Sequence, residues 1–347
     1  MTERVTKVAI GRGSWHVEFA AALDDCIERG AAVEYGVVDI DAHDWIKRLA
    51  PYDVVLWKGR FMGPRSAGYF KEKVFFMEHY LGLCVVPNFR TIWHFESKLA
   101  QNYLFEQGDV PSPRTVGSFD YDDASGSLDA ATLPIVAKRS HGASSNNVRL
   151  LGSRAQATRW LADAFFAELW ERNKAAHRDR LRQVATALPH SWFWRKLLQK
   201  ALRDEAHGVV YWQEFVPGND RDLRITVIGD RHAIGFWRRN RPGDFRASGS
   251  GLLDYQSAIP GAALRYCISL NRRFGFDSMA YDLLFRGDDF VIIEMSYGYL
   301  DKAVADAPGH YVLDDEGRLV FKPGHVPPQE LWVDWALRRV TAERAGR

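Results

Sequence analysis

Ala280-Tyr281-Asp282-Leu283-Leu284-Phe285 and, a few residues on, Ile292-Ile293-Glu294-Met295-Ser296 are two apolar runs that each carry one acid. Runs of this kind read as strands, and Arg286-Gly287-Asp288-Asp289 between them reads as a turn, so the sequence predicts a hairpin. In that hairpin Asp282 and Glu294 face each other across paired strands, and Ser296, two residues on, points the same way. An isolated carboxylate inside a core is costly and needs a cation or a partner. Three oxygen ligands on a rigid sheet suit a hard cation such as Mg²⁺, which keeps waters and bridges phosphates. The competing reading places both acids on a solvated sheet face.

A chain of 347 residues exceeds one compact core and implies two or three structural units. Its composition, 46% hydrophobic and 26% charged, is that of a soluble globular protein. A formal net charge of +2 gives no general pull toward nucleic acid or membrane, so neither is expected as the main partner. Cys26, Cys84 and Cys267 are odd in number, far apart and set among apolar residues, which predicts small buried side chains in a reducing compartment. With no apolar signal core at the N-terminus and no stretch resembling a membrane span, a cytoplasmic location is expected.

Residues 1–90 alternate strand and helix, which predicts a small parallel α/β domain. Gly11-Arg12-Gly13-Ser14 lacks the third glycine and the distal acid of a dinucleotide fingerprint, so it reads as a strand-to-helix turn at the mouth of a cleft. Lys98 lies in a helical pattern that ends at Gly108 and two prolines. Residues 133–138 form a strand that delivers Lys138 at its exit, ahead of a loop of small polar residues including Ser144 and Ser145. Backbone N–H groups of such a loop can close over phosphate oxygens, although in isolation an exposed turn is the better reading. Residues 155–206 form a long insertion rich in Trp and Arg. Its aromatics at helical spacing read as packing more than as a nucleic-acid surface. Strands and one helix over 209–325 predict an α+β unit, and 328–345 an amphipathic helix covering the surface.

The order of these parts resembles the ATP-grasp superfamily, and within it the branch that includes the ribosomal-protein glutamate ligases. The similar pieces, in chain order, begin with Lys98 and the 108–115 Gly-Pro-Pro link, then Lys138 and the 140–147 loop. They continue with Gln213-Glu214-Phe215-Val216 as the adenine hinge, Asp222-Leu223-Arg224 as an Asp-x-Arg strand, and Phe245-Arg246-Ala247-Ser248. Asp282…Glu294-Met295-Ser296 resembles the family's Asp…Glu-x-Asn metal set. The resemblance covers residues 88–299 and implies a pre-ATP-grasp domain over 1–90. A two-lobed ATP-grasp fold would follow, with an N-lobe at 91–208, a C-lobe at 209–325 and a C-terminal helix at 326–347.

It further implies ATP and Mg²⁺ as cofactors and a carboxylate–amine ligase acting through an acylphosphate. Lys98 and Lys138 would bind the α/β-phosphates, with Ser144 and Ser145 in the covering loop. Gln213, Glu214, Phe215 and Val216 would hold adenine, and Asp222 would contact the nucleoside. Asp282, Glu294 and Ser296 would hold the metal. Arg246, and after it Arg238, would meet the γ-phosphate and the acylphosphate. Ser248 and Ser296 depart from the pattern, standing where the family has Asn. The acceptor acid is expected to be a small-molecule or glycan-linked carboxylate (an amino acid, a peptide or a uronic acid), with an amine as the second substrate. A uronic acid of a cell-surface precursor is favoured because Trp15, His16, Trp57, Lys58 and Arg60 look exposed at strand ends and suit sugar stacking. The alternative is an ATP-grasp-like kinase or a non-catalytic nucleotide-binding protein.

Overall fold

The computed structural model describes residues 4–59, 64–95, 97–138, 148–165, 209–247, 249–325 and 327–346. Arg60, Ser144, Ser145, Ser248, the 140–147 loop and most of the 155–206 insertion therefore lie outside the described residues. The chain divides into two compact units, Met1–Gln101 with Gly218–Arg347, and Asn102–Pro217.

The first unit opens with β1 (Thr6–Gly11), α1 (His16–Glu28), β2 (Val33–Val38), α2 (Trp45–Leu49), β3 (Val54–Leu56), α3 (Pro64–His79) and β4 (Cys84–Val86). The short helix α4 (Phe89–Trp93) and then α5 (Lys98–Gln107) follow. The strands are parallel in the order β2-β1-β3-β4. The chain leaves β1 on one side for β2 and returns on the other for β3, so their carboxyl ends form a switch point where open α/β sheets usually leave a crevice. Here aromatic side chains fill it. Gly11, the last residue of β1, has no room for a side chain, because a Cβ there would overlap the Trp57 ring.

The second unit is an antiparallel sheet in the order β5-β8-β6-β7, made of β5 (Thr115–Ser118), β6 (Ile135–Lys138), β7 (Val148–Leu151) and β8 (Val210–Glu214). Two helices, α6 (Tyr121–Asp129) and α7 (Arg154–Ala164), belong to it. Asp120 and Ser153 cap these helices by accepting the backbone N–H of Asp123 and Gln156, as short polar side chains do at helix starts. Strand alternation sends Ile135, Ala137, Val210 and Trp212 into a core with Leu128 and Leu161, leaving Lys138 and Gln213 on the opposite face.

The remainder of the first unit is β9 (Arg221–Ile228), β10 (His232–Arg239), β11 (Leu253–Asp254), α8 (Gly261–Phe274), β12 (Ser278–Arg286) and β13 (Asp289–Ser296). Then come α9 (Asp301–Ala305), β14 (Gly309–Leu313), β15 (Leu319–Pro323) and α10 (Pro328–Ala345). The sheet runs β13-β12-β9-β10-β14-β15, with β11 pairing on β10. The expected hairpin is present, pairing Arg286 with Asp289 around Gly287, whose φ of 65° favours glycine.

The C-terminal helix differs from its expected role. Leu331, Trp332, Val333, Ala336 and Val340 of α10 are buried, so it is a core element and not a surface cover. The reason is that three consecutive buried residues span more than one stripe of a helix, so partners enclose it from several sides. It is tied down at Asp277, whose carboxylate accepts from Trp335 Nε1 (2.7 Å), Arg339 Nη1 (3.1 Å) and the Asn88 backbone N–H (2.5 Å). Cys84 and Cys267 are buried as expected, whereas Cys26 is only half-buried on α1. No described helix is long and apolar enough to cross a membrane.

Candidate functional site

In the first unit, strand register lines up a row of charges. Arg224 on β9 pairs with Asp282 on β12, and Asp282 pairs with Glu294 on β13. Asp222, two residues before Arg224 and so on the same face, lies opposite Arg238 of β10. The side chains then close on one another. Arg224 donates from Nε and Nη2 to the two oxygens of Asp282 at 2.7 and 2.8 Å. Arg238 donates from Nε and Nη2 to Asp222, both at 2.6 Å, and its Nη2 also lies 2.8 Å from Asp282.

Only 5% of the Asp282 side chain and 6% of the Asp222 and Arg238 side chains is exposed, while Arg224 keeps 21% at the edge of the cluster. Two-pronged guanidinium–carboxylate pairing is the arrangement that makes such burial tolerable. Burial alone would raise the Asp282 carboxyl, but the Arg224 and Arg238 guanidiniums hold it well below the usual carboxylate range. Glu294 is set apart. Its side chain is 38% exposed and pairs with Lys98 Nζ at 3.1 Å. Helix α5 supplies that lysine and, one turn on, Gln101, whose Oε1 accepts the Met295 N–H. Ser296 Oγ accepts the Gly298 N–H at 3.1 Å.

In the second unit, Lys138 ends β6 and is buried. Its Nζ donates to Gln213 Oε1 at 2.6 Å, and Gln213 Nε2 donates to Thr115 Oγ1 at 3.1 Å. These three residues lie on one face of the sheet. Glu214 alternates to the other face, beside Arg114, Trp212 and Phe215 at the rim of a cavity of about 570 Å³.

No family model matches the chain. The alpha-aminoadipate–LysW ligase LysX of Saccharolobus solfataricus is 24% identical over 165 residues, 48% of this chain and 47% of that protein, so the match spans about half the length of each. An ATP-grasp RimK domain protein from Sphaerobacter thermophilus superposes with a TM-score of 0.54 at 14% identity, over 96% of this chain and 100% of that one. The D-alanine–D-alanine ligase of Bacillus anthracis, in its complex with ATP, gives a TM-score of 0.55 at 11% identity, over 98% and 100%. The chain has the ATP-grasp fold.

Against the ATP-grasp pattern, the residues singled out in the sequence fall into separate groups. Asp282, Glu294, Asp222, Arg238 and Lys98 gather on one sheet face of the first unit. Lys138 and Gln213 gather in the second. Arg246 sits in the turn after β10, where Asp244 binds its Nε and Nη2. Arg224, to which the sequence pattern assigns no role of its own, is a two-pronged partner of Asp282. The signal for it was available, since the i, i+2 spacing of Asp222 and Arg224 on a strand predicts a shared face. The expectation that Trp15, Trp57 and Lys58 are exposed is corrected: they retain 9%, 4% and 5% of their accessible surface. Residues 297–299 and Trp332 of α10 pack around Trp15 and Lys58, and Phe70 packs on Trp57. His16 is half-buried, with Nδ1 2.7 Å from the Gly13 carbonyl oxygen.

Proposed function

We propose that this protein is an ATP- and Mg²⁺-dependent carboxylate–amine ligase that works through an acylphosphate. The observation that carries the proposal is the row Arg224–Asp282–Glu294–Lys98, in which each acid is matched by a cation on one sheet face of an ATP-grasp fold. LysX and the D-alanine–D-alanine ligase, proteins to which the chain is similar, are both named as ligases.

The donor set fits a magnesium ion. Asp282 and Glu294 oppose each other on rigid strands, Ser296 follows on the same strand, and Mg²⁺ characteristically takes one or two carboxylates and completes its shell with phosphates and water. Among the described residues, no three His, Cys, Asp or Glu side chains form a metal cage by themselves. When bound, the ion would neutralise phosphate charge.

The chain's own cations do the rest. In this reading Lys98 and Arg238, which meet Glu294, Asp222 and Asp282, would exchange a carboxylate partner for phosphate oxygens as nucleotide arrives. Lys138, held by Gln213, would take the same role in the second unit. In the reaction, a substrate carboxylate oxygen attacks the γ-phosphorus and ADP departs. The nitrogen of an amine then attacks the acyl carbon, expelling phosphate and losing a proton. No protein nucleophile is needed, so catalysis rests on positioning and on cations that meet developing negative charge.

The uronic-acid reading of the acceptor loses its motivation, because three of the residues that suggested sugar stacking are buried. The substrate class to screen first is therefore amino acids and short peptides. ADP release measured with a panel of acids, with and without amines, tests the proposal. A ligase forms amide product only with both substrates, a kinase phosphorylates one of them, and a nucleotide-binding protein releases nothing.

A further inference from the structure

Lys58 follows β3 at the carboxyl end of the parallel sheet and is buried. Its Nζ sits 3.5 Å from the centroid of the Trp15 ring, with the rings of Tyr299, Trp332 and Tyr297 at 4.7, 5.6 and 5.9 Å. Among the described residues, the one oxygen it reaches is the Tyr297 carbonyl, at 3.4 Å. No described carboxylate forms an ion pair with it; the nearest acid in influence is Asp301. An ammonium taken out of water with a single weak acceptor is unfavourable unless aromatic faces replace the lost hydration, and here they surround it. Burial pushes the amine down to about 7.

What the cage holds is the chain directly behind Glu294 and Ser296. Tyr299 OH lies 2.8 Å from Ser278 Oγ at the start of β12 and accepts from Trp332 Nε1 at 2.8 Å. The Tyr297 ring packs on Phe70 and Phe95. Gly298 has no room for a side chain because a Cβ would lie 2.7 Å from the Phe95 ring, and its N–H is bound by Ser296 Oγ. Segment 296–299 is thus clamped from β12, from α10 and, through Lys58, from the N-terminal parallel layer.

We propose that Lys58 is a positioning residue. With its amine seated among the aromatic rings and on the Tyr297 carbonyl, it fixes the 297–299 turn and so holds Ser296 and Glu294 in register with Asp282 for metal–nucleotide binding. The proposal rests on the ligase reading only for the purpose of that register.

Lys58→Met fills the cage with a neutral chain of similar length, and Lys58→Arg keeps a cation there. Amide hydrogen exchange over 294–300 should quicken in Lys58→Met and return toward the wild-type rate in Lys58→Arg. The Mg²⁺ concentration that supports binding of a non-hydrolysable ATP analogue should rise about tenfold in Lys58→Met, the usual effect of losing a group that orients metal ligands. Wild-type exchange over 294–300 and wild-type Mg²⁺ dependence in Lys58→Met would overturn the proposal. If Lys58→Met does not fold, Trp15→Phe, which weakens the strongest aromatic face, is judged by the same two readouts. Should the wild-type protein bind no ATP analogue, the ligase reading fails on its own, and exchange over 294–300 still decides whether Lys58 holds the turn.

Discussion

Asp282 and Glu294 stand directly opposite each other on adjacent antiparallel strands, yet they answer to different cations. Asp282 is enclosed by Arg224 and Arg238, while Glu294, more exposed, meets Lys98. The two acids therefore share a place in the sheet but not a thermodynamic role.

The first prediction separates those roles. Asp282→Asn leaves Arg224 facing a neutral amide and Arg238 with Asp222 alone, and should cost about 3 kcal/mol of stability, the lower end of what breaking a buried pair from one side costs. Glu294→Gln breaks a solvent-screened pair and should cost less than about 1 kcal/mol. Both changes should abolish ATP turnover. Urea denaturation of the two variants beside the wild type checks the difference; equal losses would mean that the Asp282 cluster does not carry stability.

Nucleotide affinity gives the second. Lys138 reaches Gln213 in the described state, and on binding its ammonium is expected to turn to phosphate. Lys138→Ala should weaken ATP binding by about 1–3 kcal/mol, the worth of a charge-assisted hydrogen bond. Calorimetry on the variant measures this, and an unchanged dissociation constant would place Lys138 outside the nucleotide site.

A third prediction concerns pH. His94 is fully buried beside Phe276, and neither ring nitrogen has a hydrogen-bond partner among the described residues. Burial pushes it down to about 3 from the ordinary 6.5, with Lys71 adding to the effect. Below pH 6.5 the unfolded chain binds a proton that the folded protein refuses. Stability tied to neutral His94 is therefore complete above pH 6.5 and is lost as pH falls toward 3, by roughly 4–5 kcal/mol in all. Thermal melts from pH 7 to pH 4 should fall less steeply for His94→Leu than for the wild type. Parallel curves would show that another group governs acid unfolding.

The hairpin was legible in the sequence because two apolar runs flank a glycine turn, and the two-residue period of a strand then fixes which side chains face each other. That logic placed Asp282 opposite Glu294. It did not reveal that Arg224, 58 residues earlier in the chain, lies across from Asp282, since strand order is set by packing of the whole sheet. The burial of Lys58 was hidden for a similar reason. A lysine after a strand reads as a loop residue, and the rings that cover it arrive from Trp15, Tyr297, Tyr299 and Trp332. The C-terminal helix misled by looking one-sided, when consecutive Leu331, Trp332 and Val333 are all enclosed.

The last prediction turns on Ser296, which stands where the ATP-grasp pattern expects Asn. Its hydroxyl accepts the Gly298 N–H two residues on, so it already shapes the turn behind Glu294. Asparagine can accept the same i+2 bond in an Asx-turn, and its carbonyl oxygen reaches further from the backbone. Ser296→Asn should therefore keep the turn, and it should lower the Mg²⁺ concentration needed for ATP turnover if the serine meets the ion only through water. Ser296→Ala lacks the acceptor and should lose about 0.5–1.5 kcal/mol of stability, the net worth of one hydrogen bond. Steady-state kinetics across a Mg²⁺ titration distinguishes the two variants. If Ser296→Asn raises the acceptor KM while Mg²⁺ and ATP dependence stay unchanged, Ser296 makes room for substrate and does not serve the metal.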